Sequence, residues 1–218
     1  MGTNFQCVGL TGGIACGKST VSGLLAEHGF DIIDADQISR ELDNDTDYQN
    51  AVRREFGQDV FSVDTGKIDR LKLGHIIFNN PLKRRQLDKI SHPRIFRRIF
   101  VNLFKLKFIQ RKPLVVLDAP LLYESKILEW VCYPIVVVYL DDSQKQVMRM
   151  IERARKTNTD LTEEEAMRKI STQMPIGIKI KKADILVDNG GTREDLEKKV
   201  IDVSITQIYQ RLGYIDKE

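Results

Sequence analysis

The run Gly12-Gly13-Ile14-Ala15-Cys16-Gly17-Lys18-Ser19-Thr20 sets two glycines five residues apart, followed at once by a lysine and two hydroxyls. That spacing is the P-loop pattern G-x-x-x-x-G-K-[ST], and its chemistry is nucleotide phosphate binding. Glycines let the backbone wrap an anion with its N–H groups turned inward, at the positive end of the helix that follows. Lys18 would reach the terminal phosphates, and the Ser19 hydroxyl would ligate Mg²⁺. Asp34 and Asp36 close a short apolar run, where a carboxylate would accept or orient the proton of an attacking hydroxyl; capping the next helix is the alternative. Catalysis is assigned to Asp36 and acceptor binding to Asp34. Asp118 ends Leu114-Val115-Val116-Leu117 as a Walker B acid does, to hold Mg²⁺ directly or through water, or else to cap the adjacent turn. Arg149 and Arg153 lie four apart and so face one way on a helix. Such a pair would neutralise a transferring phosphoryl group, although a solvated helix face also accounts for it.

These groups need a scaffold. Five apolar runs, Cys7–Leu10, Asp31–Ile33, Leu114–Leu117, Ile135–Leu140 and Ile185–Val187, alternate with helical patterns. That order predicts an α/β fold with a five-stranded parallel sheet covered on both faces, a three-layer α/β/α arrangement. The helix after the glycine loop is predicted from Ser19 to His28, with Val21, Leu24 and Leu25 on its apolar face. Long gaps after the second and fourth strands imply helical insertions over the carboxyl edge of the sheet. We therefore divide the chain into a core of residues 1–39, 113–142 and 183–218, an insertion at 40–112 and a lid at 143–182. In the first insertion, Ile90, Ile95, Ile99, Leu103 and Leu106 with Phe96, Phe100 and Phe104 predict a long amphipathic helix after His92-Pro93. In the second, Met148, Ile151, Leu161, Ala166 and Ile170 predict two helices joined near Asn158-Thr159-Asp160. A last helix runs from Thr192, its N-cap, to about Tyr209.

A hydrophobic share of 42 % beside 30 % charged residues is that of an ordinary globular chain. No apolar stretch has the roughly 18 residues of a membrane span, and with a phosphate loop beginning at Gly12 no removable presequence is expected. The three cysteines form no C-x-x-C pair and no metal cluster with His28, His75 and His92, which points to a reducing, cytoplasmic compartment. Cys16 reads as a tolerated small side chain; its place at a helix N-terminus, which lowers a thiol pKa, makes redox sensitivity the alternative. Residues 81–112 hold eleven Lys or Arg against one acid, Asp88, in a chain of net charge +3. This segment fits an amphipathic helix with snorkelling cations, an anion-binding wall or a membrane-surface helix. Peripheral membrane contact stays open on that reading; no nucleic-acid partner is expected, and oligomeric state is unreadable. A guanine-specifying N-K-x-D is missing, which argues against a GTPase switch. A kinase of some small hydroxyl acceptor and a non-catalytic binding module remain as function classes.

Several motifs occur together in a fixed order: Leu10-Thr11-Gly12-Gly13-Ile14, Ile33-Asp34-Ala35-Asp36, Gly66-Lys67-Ile68-Asp69-Arg70-Leu71 and Ile90-Ser91-His92-Pro93-Arg94-Ile95. Pro120-Leu121-Leu122-Tyr123-Glu124, Gln146 to Arg153, Gln173-Met174-Pro175 and Lys182 to Asn189 complete the series. Over nearly its whole length the chain resembles the dephospho-CoA kinases. The resemblance implies a nucleoside-kinase-like P-loop core with a helical CoA-side domain and a lid. It implies transfer of the γ-phosphoryl of ATP, with Mg²⁺, to the 3′-hydroxyl of dephospho-CoA, the last step of coenzyme A synthesis. It makes Asp36 the base, Gly13 to Thr20 the ATP phosphate site, and Arg149, Arg153 and Lys179 lid cations. Asn189 would lie near the adenine, while Arg40, Arg70, His92, Pro93 and Tyr123 would build the acceptor side. Ala15 and Cys16 depart from the glycine and serine usual there, and Tyr123 replaces a common phenylalanine.

Overall fold

Aliphatic and β-branched runs make the strands, and the three central ones are buried on both faces. In the computed structural model, which describes residues 5–157 and 159–215, they are β1 (Gln6–Gly12), β2 (Asp31–Asp34), β3 (Leu114–Asp118), β4 (Ile135–Tyr139) and β5 (Ile185–Asp188). They form one parallel sheet in the order β2-β3-β1-β4-β5, the five-stranded α/β architecture expected. Leu10 lies opposite Asp118 on one side and Val136 on the other, so Gly12 and Asp118 finish at the same carboxyl edge. The helices are α1 (Lys18–Glu27), α2 (Ala35–Glu41), α3 (Thr46–Phe56), α4 (Arg70–Asn79), α5 (Pro81–Phe104), α6 (Ile127–Val131), α7 (Ser143–Lys156), α8 (Glu163–Ser171), α9 (Ile176–Lys182), α10 (Arg193–Lys198) and α11 (Thr206–Arg211).

The chain divides into two compact units, residues 1–33 with 110–218, and residues 34–109. In the first, Val8, Leu10, Val116, Val136 and Val138 of the sheet pack with Val21, Leu24 and Leu25 of α1 and with Leu196, Val200 and Ile208 near the C-terminus. Thr192 caps α10 through a capping box with Asp195. The predicted single helix there carries a π-helical stretch, Lys199–Ile205, between α10 and α11. A separate small core joins α7 to α8 through Val147, Met150 and Ala166, with Ile14, Ala15, Ile151, Leu161 and Ile170 packed against it. Met148, read from the sequence as apolar-face, is instead exposed: the face that meets α8 runs through 147, 150 and 151. Asn158 lies outside the described residues.

In the second unit, Leu42, Tyr48, Val52, Val60, Phe61, Ile68 and Leu73 are buried together, with Ile90 and Ile95 of α5 against them. The long helix does not wait for His92-Pro93. It begins at Pro81, whose fixed φ suits the first helical position, and the Asn80 side chain caps the N–H groups of Leu82 and Lys83. Pro93 lies inside it, exposed, and one residue later Arg94 Nη1 donates to the Ile90 carbonyl at 2.7 Å. Only Ile99 and Leu103 of α5 are fully buried, whereas Phe100 and Phe104 face outward. Among the described residues, no helix is long and apolar enough to cross a membrane.

Candidate active site

The glycine loop links β1 to α1 in the order the motif requires, and two glycines are there because nothing else fits. A Cβ on Gly12 would come within 2.4 Å of the Val138 carbonyl oxygen. One on Gly17, at φ 88°, would come within 2.1 Å of Asn189 Nδ2. Ala15 adopts the left-handed region without that excuse, at φ 57°.

Side chains from distant parts of the first unit hold this loop by its carbonyls. Gln146 Nε2 of α7 donates to the Ile14 carbonyl at 2.5 Å, and Asn189 Nδ2, just past β5, donates to the Cys16 carbonyl at 2.9 Å. Lys179 Nζ of α9 lies 3.5 Å from the Gly12 carbonyl. Gln173 Oε1 accepts from the Ile14 N–H at 3.1 Å. Carbonyls 12, 14 and 16 are thus tied outward in alternation. Because a trans peptide points its N–H opposite its C=O, the N–H groups of Gly13, Ala15 and Gly17 face away from those anchoring side chains. A row of N–H groups at the start of a helix is an anion cradle.

Lys18 forms an ion pair with Asp118 Oδ1, and both side chains are nearly buried. Arg149 is half-buried and donates to the Asn189 carbonyl at 3.2 Å, while Arg153, one turn on, is exposed. Lys179 is not a lid cation free to swing. It is completely buried, donating to the Pro120 carbonyl at 2.8 Å and to Glu124 Oε1 at 3.0 Å. Burial pushes its pKa down, against the pull of Glu124. Glu124 Oε1 also accepts the Met174 N–H at 2.9 Å, so one carboxylate fastens both the residue two before α9 and the middle of α9 itself. Cys16 fits the small side chain expected there and speaks against the redox-sensitive alternative. Its thiol sits in the main core, and burial raises its pKa where the helix N-terminus alone would have lowered it.

Tyr123 is also buried, beneath Lys182, whose Nζ is 4.7 Å from the ring centroid. Its hydroxyl has no hydrogen-bond partner among the described residues, and burial raises its pKa. In the second unit, Asp34 caps α2 by accepting the Gln37 N–H at 2.9 Å and lies 3.7 Å from Arg40. Asp36, in the first turn of α2, is exposed. Arg70 pairs with Asp43 and donates to the Ser39 carbonyl, joining α4 to the end of α2. His92 lies 3.6 Å from Asp88, one turn back on α5.

A profile of the CoaE family, dephospho-CoA kinase, matches residues 6–195. The chain belongs to the dephospho-CoA kinase family. It is 40 % identical over 196 residues to the dephospho-CoA kinase of Geobacillus kaustophilus, spanning 89 % of this chain and 92 % of that one. A Danio rerio protein described as dephospho-CoA kinase domain-containing is 42 % identical over 195 residues, 89 % of this chain and 82 % of its own. The crystal structure of TT1252 from Thermus thermophilus superposes with a TM-score of 0.75 at 29 % identity, covering 93 % of this chain and 98 % of the other. The family's reaction is an ATP-dependent phosphorylation of dephospho-CoA, the last step of coenzyme A synthesis, and that is the activity of this chain. Sequence reading named the loop but gave Gln146 and Gln173 no role, although both stand in runs that carry the resemblance.

Proposed function

We propose that the loop from Gly12 to Thr20 holds the ATP phosphates in a preset cradle while Asp36 takes the proton of the acceptor's 3′-hydroxyl. The observation that carries this is the alternating carbonyl anchorage by Lys179, Gln146 and Asn189, which turns the loop's N–H groups away from those side chains before any ligand arrives. Lys18 leaves Asp118 to meet the terminal phosphates, since a phosphate offers more negative charge than one carboxylate. Arg149 and Arg153 neutralise the transferring group. Asn189 acts on ATP from beneath, through Cys16. Asp36 is favoured over Asp34 because the Asp34 carboxylate already caps α2, whereas Asp36 is exposed. Arg40, Arg70, His92 and Pro93 serve dephospho-CoA, whose pyrophosphate needs cations, and Tyr123 supports that site from within the core.

The residues also fit Mg²⁺. Among the described residues no three His, Cys, Asp or Glu side chains converge on one point, so a full protein cage is not offered. Mg²⁺ favours one or two oxygen ligands together with substrate phosphates and waters, and the Ser19 hydroxyl and Asp118 carboxylate are such a set. When bound there, Mg²⁺ would neutralise charge on the β- and γ-phosphates. Three free thiols and the absence of any disulfide framework support a reducing, cytoplasmic setting.

Asp36→Asn tests the assignment. It should lower turnover by roughly 100-fold or more, the usual worth of a general base, while ATP affinity measured by calorimetry stays put. Near-normal turnover would remove Asp36 from the role.

A further inference from the structure

Helix α5 and the π-helical turn that follows it, Lys105–Ile109, have two apolar faces, and the fold buries only one. Ile99 and Leu103 point into the core. On the opposite face Phe100, Val101, Phe104 and Phe108 recur at spacings of three and four and are exposed, Phe104 by 57 % and Phe108 by 58 %. The two rings lie side by side, centroids 4.7 Å apart. Arg97, Lys105 and Lys107 border the stripe, and the Lys107 ammonium is 5.1 Å from the Phe108 centroid. From residue 89 to 112 the sequence contains no acid.

We propose that this outer face of α5 docks on an anionic lipid surface and holds the chain peripherally at a membrane. Aromatic rings enter the headgroup boundary, and the long stems of Lys and Arg keep their charges beside lipid phosphates. A second copy of the chain fits worse. A two-fold contact would press two lysine-bordered stripes together, with no acid within residues 89–112 to offset them, and protein interfaces are depleted in lysine at their centres. The patch is short, so binding should be reversible and salt-sensitive.

Co-sedimentation with vesicles of phosphatidylcholine mixed with phosphatidylserine, against phosphatidylcholine alone, tests this. Wild type should pellet with the mixed vesicles only, and less so as salt is raised. Lys105→Gln/Lys107→Gln should weaken binding on the order of 30-fold, from the worth of two cations near such a surface. Phe104→Ser/Phe108→Ser should abolish it, with far-UV circular dichroism and ADP release from ATP and dephospho-CoA unchanged as the check on folding. No pelleting with mixed vesicles, or pelleting indifferent to both double variants, overturns the proposal. So does a wild-type dimer in sedimentation velocity that Phe104→Ser/Phe108→Ser dissociates, because the stripe would then belong to a second copy.

Discussion

Replacing Lys179 by methionine keeps the side chain's length and apolar stem and deletes one buried charge. The ammonium it removes serves the Pro120 carbonyl, the Gly12 carbonyl and Glu124 at once. The Pro120 carbonyl keeps a donor, Thr11 Oγ1 at 3.1 Å, so it costs little. Glu124 is the expensive orphan. Its Oε2 is buried with no hydrogen-bond partner among the described residues, and without Lys179 its remaining hydrogen bond of those described is the Met174 N–H. Breaking a buried ion pair on one side typically costs 3–5 kcal/mol; with 23 % of the Glu124 side chain still solvent-accessible, the lower end, about 3 kcal/mol, applies. For a chain of this size each kcal/mol moves Tm by about 2–4 °C, so Lys179→Met should melt roughly 6–12 °C lower. Lys179→Met/Glu124→Gln should recover more than half of that loss, because it removes the unpaired charge. Thermal melts of wild type, both single variants and the double variant, followed by far-UV circular dichroism, close the cycle. A single-variant loss below about 1 kcal/mol, or losses that simply add, would refute the idea that this pair is what fastens α9 under the phosphate loop.

Three other substitutions probe the same physics elsewhere. Ala15→Val puts a β-branched residue at φ 57°, where even an unbranched one costs roughly 1–2 kcal/mol; ATP affinity should fall at least about fivefold, Ala15→Gly should bind as wild type, and calorimetry showing tight binding by the valine variant would contradict the cradle geometry. Tyr123→Phe deletes a buried hydroxyl that lacks a hydrogen-bond partner among the described residues. It should raise stability by about 1 kcal/mol, and a lower Tm would mean that the hydroxyl is bonded after all. The Asp45 carboxyl is held below its usual range by the Tyr48 N–H, against some burial, and by Arg98. A depressed folded pKa means its stabilisation is complete above the ordinary carboxylate value of about 3.9 and is lost as pH falls through the folded value. Asp45→Asn should therefore flatten the plot of Tm against pH below about 4, and an unchanged slope would assign acid sensitivity to other groups.

The sheet was legible because buried parallel strands are nearly continuous apolar runs, and Ile135–Tyr139 or Leu114–Asp118 have few other uses. The glycine loop was legible because its spacing is dictated by phosphate geometry. Where the reading failed, a local rule lost to packing. Pro93 looks like a helix boundary, yet capping by Asn80 and burial of Ile90 and Ile95 carry α5 straight through it. The redox alternative for Cys16 rested on its helix start, yet desolvation decides its thiol. Gln146, Gln173 and Lys179 act on loop carbonyls and N–H groups 132, 159 and 167 residues away, a juxtaposition that no spacing along the chain encodes. The outward stripe of α5 was visible as Phe100 and Phe104 but was grouped with Ile99 and Leu103 in one amphipathic helix, because periodicity gives an apolar face and not what covers it.

A loop that delivers the γ-phosphoryl of ATP to the ribose of dephospho-CoA must release ADP only when that acceptor is present. The direct measurement is ADP release with dephospho-CoA, AMP or no acceptor present, with the product's phosphate position read by ³¹P NMR. Release should require dephospho-CoA and yield a new monoester on the 3′-oxygen, and Lys18→Ala should lose both. Equal release with AMP or without acceptor, or full activity in Lys18→Ala, would contradict that role of the loop.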